Sequence, residues 1–472
     1  MIPTTFTRLV AATALAALIV SPAAAQQLTI GPVLPASSPF RGGVPQGERT
    51  AEPVFVAIGD AIRRALEHNL GVLEAEERVD RARGARALSF SELLPHVNAN
   101  VSESRRKSNL EAFGFPLRGE FPRIVGPFNV FDARVFLSQS LVDLAARRNN
   151  RAESHNLAAA RHEYRSAQDL VMLVTANLYL EALASTARLD TARAQFDTAQ
   201  ALYSQAQDLR TSGLVAGLDV IRAEVRLSSD RQRVTIANND LQKAKLQLAR
   251  VIGLPVGQEF TLSPQLSLAV PAPDMTLDQA LERAYRQRPD YLAAQERVRA
   301  AEVSLQAVRS ERLPAVRLNA DYGAIGLEVS SALSTFNVTA AVSVPIFEGG
   351  KIDARMVRAE ADLKQRRAEA EDMRAELYYD VRTAFLDLEA TNEQLQTATR
   401  SRELAAQQLT QSRDRFAAGV ASNVEVIQAQ EAVTLAAEQY IAALYGFNIA
   451  KAMLAESVGT GPDAVEQFLR GQ

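Results

Sequence analysis

Leu94-Pro95-His96-Val97-Asn98-Ala99-Asn100 and Leu313-Pro314-Ala315-Val316-Arg317-Leu318-Asn319 lie 219 positions apart in this 472-residue chain, and both belong to one passage written twice. At that offset residues 58–100 and 277–319 run in parallel without a gap. Identities fall at Ala61/Ala280, Arg64/Arg283, Ala65/Ala284, Glu77/Glu296, Arg78/Arg297, Val79/Val298, Ala82/Ala301, Glu92/Glu311, Val97/Val316 and Asn100/Asn319. The likeness resumes at an offset of 206, where Gly213, Asp219-Val220-Ile221 and Ala223 meet Gly419, Glu425-Val426-Ile427 and Ala429. A unit of about 200 residues is far longer than the ~20–50 residues of a solenoid repeat. The chain is therefore a duplicated half with internal pseudo-symmetry.

Each half contains two segments whose apolar residues alternate with period two. In the first half Val97, Ala99 and Val101 interleave with Asn98 and Asn100, and Phe131, Ala133, Val135 and Leu137 with Asp132 and Arg134. In the second, Val316, Leu318, Ala320 and Tyr322 interleave with Arg317, Asn319 and Asp321, and Phe336, Val338, Ala340, Val342 and Val344 with Asn337, Thr339 and Ser343. Runs of about ten residues with one apolar and one polar face match tilted strands that span a bilayer around a watery lumen. A soluble hairpin with one buried face alternates in the same way, so that reading stays open at this point.

The rest is Ala-, Leu-, Gln-, Arg- and Glu-rich, and residues 142–211 and 351–418 contain no Pro and no Gly. About 70 helical residues reach on the order of 105 Å. No clean heptad persists, which suggests packing on two sides rather than a single dimer seam. Shorter helices at Val54–Glu92 and Leu214–Val251 sum to the length of the long one and could stack end to end beside it. Four strands cannot close a barrel, for which about eight is the usual minimum. Open edges cannot lie unsatisfied in lipid, so oligomerisation follows, though the physics does not fix the number of copies.

The start of the chain has Arg8, an apolar run from Leu9 to Val20 and Ser21-Pro22-Ala23-Ala24-Ala25, the pattern of a secretory signal peptide cleaved before Gln26. An uncleaved anchor is the competing reading. The formal net charge of -3 offers no basic field for nucleic acid. The chain has no cysteine, which removes disulfides, thiolate metal sites and a lipidated N-terminal cysteine. No later segment reads as a spanning helix; the best, Leu170–Ala184, is interrupted by Thr175, Asn177 and Glu181.

The organisation expected is a signal peptide at 1–25, a Pro/Gly-rich arm at 26–53 that is extended or mobile, and a first repeat at 54–253. That repeat has strands near 95–103 and 129–141 and a tip near 212–219. A linker at 254–276 leads to the second repeat at 277–459, with strands near 314–323 and 335–346, a tip near 418–425, and a tail at 460–472.

The duplicated helix–strand–strand–helix plan, with Ser-Gly-Leu-Val-Ala-Gly-Leu-Asp-Val at 212–220 and Ala-Gly-Val-Ala-Ser-Asn-Val-Glu-Val at 418–426, resembles the TolC family of outer-membrane efflux proteins. Leu94-Pro95, Leu313-Pro314 and the strand exit Val344-Pro345-Ile346-Phe347-Glu348-Gly349-Gly350 add to the resemblance, which covers roughly residues 54–459. The resemblance implies a mainly α chain with β, assembled as a homotrimer with a 12-stranded β-barrel in outer-membrane lipid and a 12-helix α-barrel across the periplasm. It implies an exit duct, with porin activity, for a tripartite efflux or type I secretion system. Its partners would be a periplasmic adaptor (membrane fusion) protein and an inner-membrane RND or ABC transporter.

No catalytic constellation is present, and no cofactor or metal is expected. His155 and His162 stand seven residues apart on one helix, too far for the three- or four-residue spacing of a metal pair. Gly349-Gly350 lacks the surroundings of a phosphate loop and is suited to turning a strand into a helix. Gly213 and Gly419 end the long helices as C′ glycines do. Leu214, Val215, Val420 and Ala421 after them are apolar residues at hairpin tips. They are either tight turns or, as the resemblance implies, an adaptor-docking surface. The resemblance also places Asp219 and Glu425 at a constricted periplasmic entrance. There the second acidic position of the second repeat is Gln428, and an expected arginine is Ala421. The lumen face of the barrel would carry Asn98, Asn100, Asp132, Arg134, Arg317, Asn319 and Asp321. The competing function is a periplasmic coiled-coil tether or adaptor without a pore.

Overall fold

The computed structural model describes residues 35, 37–110, 112, 122–213, 215–263, 275–418 and 420–459. The expected signal peptide, residues 264–274 of the linker, the tail, and two tip residues, Leu214 and Gly419, lie outside the described residues. In the first repeat β1 (Val54–Val56) is followed by α1 (Ile58–His68), α2 (Leu70–Ser91), β2 (His96–Asn109), β3 (Ile124–Val142), α3 (Leu144–Thr211) and α4 (Gly217–Val251). In the second, β4 (Phe260–Leu262) precedes α5 (Leu277–Gln287), α6 (Pro289–Ser310), β5 (Ala315–Gly326), β6 (Leu333–Ser343), α7 (Lys351–Ala417) and α8 (Asn423–Ser457).

α3 and α7 have 68 and 67 residues, so each extends about 100 Å at ~1.5 Å per residue. α3 starts where the Asp143 side chain accepts a hydrogen bond from Ala146 N at 2.8 Å. α7 starts at Gly350, whose φ of +82° follows +61° at Gly349, so the two glycines turn the chain from strand exit into helix. α2 and α4 both pack along α3, and α6 and α8 along α7. α3 also packs against α6 and α8, which joins the repeats into one helical body.

The helix expected over Val54–Glu92 is instead a short strand and two helices. Asn69, fully buried and extended at φ -69° and ψ 131°, makes the break. Its side chain accepts from Gly71 N at 2.9 Å and donates to Phe40 O at 3.0 Å. The repeat offset puts Arg288 at the same position, and there Pro289 begins α6. One duplicated kink is thus held by an asparagine cap in one half and by proline in the other.

The described part of the arm is packed rather than mobile. Val44 N donates to His68 O at 2.8 Å, Gln46 N donates to Gly253 O at 3.1 Å, and Gly43 bridges to Asn69. A Cβ on Gly43 would meet Arg250 O at 2.5 Å, so only glycine passes there. β1 and β4 form a parallel pair that alternation did not reveal. Tyr179 of α3 holds both through its hydroxyl, which donates to Val56 O at 3.1 Å and Ser263 O at 3.0 Å.

α3 contains a window long and apolar enough to cross a membrane, contrary to the sequence reading. Most of it is covered by other helices: Val171, Met172, Leu173, Val174 and Ala176 are buried. Its apolarity is that of a core helix.

The four long strands make one antiparallel sheet in the order β2-β3-β5-β6, so the second strand of one repeat pairs with the first of the other. β2 and β6 are left as open edges within the chain.

Candidate functional site

The register puts the expected lumen residues on a single face. Asn98 is level with Phe136, Asp321 and Asn337, and Asn100 with Arg134, Gly323 and Thr335. Arg134 is the hub. Its Nε donates to Asp132 at 3.3 Å, its Nη2 to Thr335 Oγ1 at 3.1 Å, and its Nη1 pairs with Asp321. Ser138 donates to Asn319 at 3.0 Å. Asn98, Asn100 and Arg317 share the face without joining the Arg134 network, and Phe136 and Ile325 interrupt its polarity. The other face carries Val97, Val101, Val135, Tyr322, Phe336, Val338 and Val342, all exposed. Burying such a face is worth roughly 25 cal/mol per Å², so a bare one needs lipid or protein against it.

At the far end of the helices the two tips hold the other expected residues. Ser212 caps α3, Gly213 takes φ +73°, and Ala216 precedes α4, with Val215 half-buried and Asp219 in the first turn of α4. In the second tip Val420 is 67% exposed and its N–H closes onto Arg415 O at 3.0 Å. Ala421 is half-buried, and Glu425 lies in the first turn of α8 with Gln428 exposed one turn on. An acid in the first turn of a helix also meets the positive end of the helix dipole.

The structure brings partners to these acids that sequence reasoning missed. Asp219 pairs with Arg222 of its own helix at 3.3 Å. Glu425 pairs across the tip with Arg415 of α7 at 3.2 Å. One turn above, Arg226 and Asp230 form a pair at 2.8 Å, with side chains only 9% and 2% exposed. Arg226 reaches from α4 to α8, donating to Glu431 and to Thr434 Oγ1, each at 3.4 Å, and Arg233 lies 3.6 Å from Asp230. The i, i+4 spacing of Arg226 and Asp230 was the only sequence signal, and solvated helix pairs share it. Among the described residues no group of three or more His, Asp or Glu side chains is placed to hold a metal. His155 instead meets Glu296 of α6 at 2.7 Å.

The chain matches the sequence profile of the family described as outer membrane efflux protein over residues 61–254 and 280–460, one stretch in each repeat. It is 24% identical over 402 residues to the pyoverdine export outer membrane protein OpmQ of Pseudomonas putida KT2440, covering 80% of each chain. It is 22% identical over 410 residues to the alkaline protease secretion protein AprF of Pseudomonas aeruginosa PAO1, covering 84% of this chain and 82% of the other. Its fold overlays the crystal structure of CusC with a TM-score of 0.76 at 20% identity, over 89% of this chain and 99% of that one.

Proposed function

This chain belongs to the outer membrane efflux protein family, and from that premise we propose that it is the outer-membrane exit duct of a tripartite efflux or type I secretion system. Family and fold are those of channel proteins. Three copies would join β6 of one sheet to β2 of the next, closing twelve strands and leaving no edge. The long helices then continue the lumen through the periplasm as a 12-helix barrel. A periplasmic adaptor docks at the tips, and an RND or ABC pump in the inner membrane drives cargo that the duct passes passively.

The observation that carries this reading is the two-faced sheet: apolar side chains lie bare opposite the Arg134 network, between two open edges. A tether without a pore has no use for that arrangement. The test is fractionation followed by native mass determination in detergent. The expected result is an outer-membrane protein, released only by detergent, with the mass of a trimer. A protein that stays soluble and monomeric without detergent would contradict it.

A further inference from the structure

The junction between the two repeats has a counterpart at the free edges of the chain. β3 runs into α3, α6 runs into β5, and β3 pairs with β5. In the same way β6 runs into α7 and α2 runs into β2, but β6 and β2 are the open edges. α3 and α7 correspond along their length at the 206-residue offset, since buried Leu157, Val171, Ala192 and Ala199 fall on buried Leu363, Leu377, Ala398 and Ala405. α6 and α2 correspond at the 219-residue offset.

Within the chain the α3–α6 seam sets large side chains against small ones. Arg148, His155 and His162 of α3 stand seven residues apart, and Ala307, Ala300 and Ala293 of α6 run past them in the opposite direction, all three buried. Arg148 donates to Gln306 O at 2.9 Å, His155 meets Glu296 at 2.7 Å, and His162 feels the charge of Glu296. At the free edges the sizes are exchanged. The corresponding positions are Ala354, Ala361 and Ala368 on α7, and Leu88, Arg81 and Glu74 on α2, all six exposed. Small stands where large stood on one helix, and large where small stood on the other, at three successive steps of seven residues. Such an exchange preserves the fit of two helix faces only when they pack against each other.

Charge follows the same plan. Glu163 of α3 pairs with Arg297 of α6 at 2.5 Å. Their counterparts are Glu369 on α7 and Arg78 on α2, both exposed, with Glu369 held by Gln365 and Arg366 of its own helix at 2.8 Å. The two free faces are therefore complementary in size and in sign.

We propose that α7 of one copy packs against α2 of a second copy in the register of the α3–α6 seam, with Ala354, Ala361 and Ala368 receiving Leu88, Arg81 and Glu74, and Glu369 paired with Arg78. This rests on the reading of the sheet as one sector of a closed barrel, because joining β6 to β2 is what brings these helices together. It goes further in fixing the register between copies. A slip of one heptad moves the contacts by about 10 Å, sets Ala361 against Leu88 or Glu74, and separates Glu369 from Arg78.

The test exploits the absence of cysteine from the chain. Full-length Ala361→Cys/Arg81→Cys and the off-register Ala361→Cys/Leu88→Cys are purified in detergent, oxidised, and run on denaturing gels without reductant. Native mass spectrometry of the reduced samples reads their assembly. The matched pair should give covalent dimers and trimers at least about tenfold faster than the off-register pair, since a disulfide does not bridge Cα atoms more than ~7 Å apart. A second comparison reads the fit itself. Ala361→His sets a large side chain against Arg81 and should lower the temperature at which the trimer separates. Adding Arg81→Ala, which copies His155 and Ala300, should restore that temperature. A trimer whose matched pair does not link, off-register linking as fast as matched linking, or no recovery in the double variant would overturn this inference and leave the duct reading standing. A wild-type protein that forms no trimer would remove both.

Discussion

At the two tips the repeats place an acid at the same position and neutralise it by opposite routes. The 206-residue offset aligns Asp219 with Glu425, Arg222 with Gln428, and Leu209 with Arg415. The first repeat therefore keeps its arginine one turn along the same helix, at 3.3 Å from Asp219. In the second, glutamine takes that place and the arginine comes from the opposite helix, at 3.2 Å from Glu425. The contrast deepens one turn further in. Arg226 and Asp230 align with Ala432 and Ala436, so the buried ion pair exists in one repeat only, and its outward bonds end on α8 of the other. Duplication kept the backbone path, and the charges diverged so that bonds now cross between helices. A local pair steadies one helix, whereas a crossing pair opposes separation of two.

The largest effect should come from breaking the crossing network. Arg226→Ala leaves buried Asp230 with only the more distant Arg233 at 3.6 Å, and losing one partner of a buried pair costs up to about 3–5 kcal/mol. The expected outcome is a marked fall in thermal stability and faster proteolysis near the tips. Arg226→Ala with Asp230→Ala copies the alanines of the second repeat and should recover most of the loss. If the double variant is as unstable as the single one, the pair does more than neutralise itself.

A smaller, pH-dependent effect is expected where the repeats meet on α3. Burial, then the nearby charges of Glu456 and Asp290, push the Asp169 carboxyl up to about 7, against the opposing pull of Arg288. Arg288 is itself tied to Asp290 at 2.5 Å and Asp380 at 2.8 Å. A carboxyl raised on folding takes up a proton, so its ionised form disfavours the fold. The penalty is absent below about pH 4, grows as pH rises toward about 7, and is fully present above that. Asp169→Asn should therefore stabilise the protein at pH 8 by on the order of 2 kcal/mol, discounted for its half-buried site, and leave it unchanged at pH 4. Denaturation at the two pH values checks this, and a gain that is equal at both would contradict it.

The smallest effect sharpens the tip comparison itself. Arg415→Ala and Arg222→Ala each remove a partly exposed pair, and both should cost under about 1 kcal/mol. Only Arg415→Ala should increase the frequency of channel opening, because only its bond crosses the tip. Equal gating in the two variants would mean that the contrast has no consequence at the entrance.

The features that were legible in the sequence are those written in local periodicity. The doubled passage, the four alternating strands and the glycine that follows α3, Gly213, all follow from residue order. The split of the first helix at Asn69 was not legible, because an asparagine inside a helical pattern becomes a cap only when Phe40 and Gly71 are brought to it. β1 and β4 are three residues each, too short to show a period. The strands also run past the alternation: β2 continues to Asn109 and β3 begins at Ile124, so the first hairpin is longer in strand and shorter in loop. Arg415 as the partner of Glu425 was not legible, because the family pattern puts an arginine after the tip glycine. Arg415 stands before it, and only the closing of α7 against α8 makes the two neighbours.

Single-channel recording of the purified protein in planar bilayers under a salt gradient tests the central claim most directly. A trimeric duct closed at its tips should give small, flickering currents. The carboxylates of Asp219 and Glu425 should shift the reversal potential toward cations, since confined like charges attract counter-ions. Asp219→Asn with Glu425→Gln should reduce that shift. An unchanged reversal potential would place these acids outside the lumen, and a trimer that never conducts would contradict the duct itself.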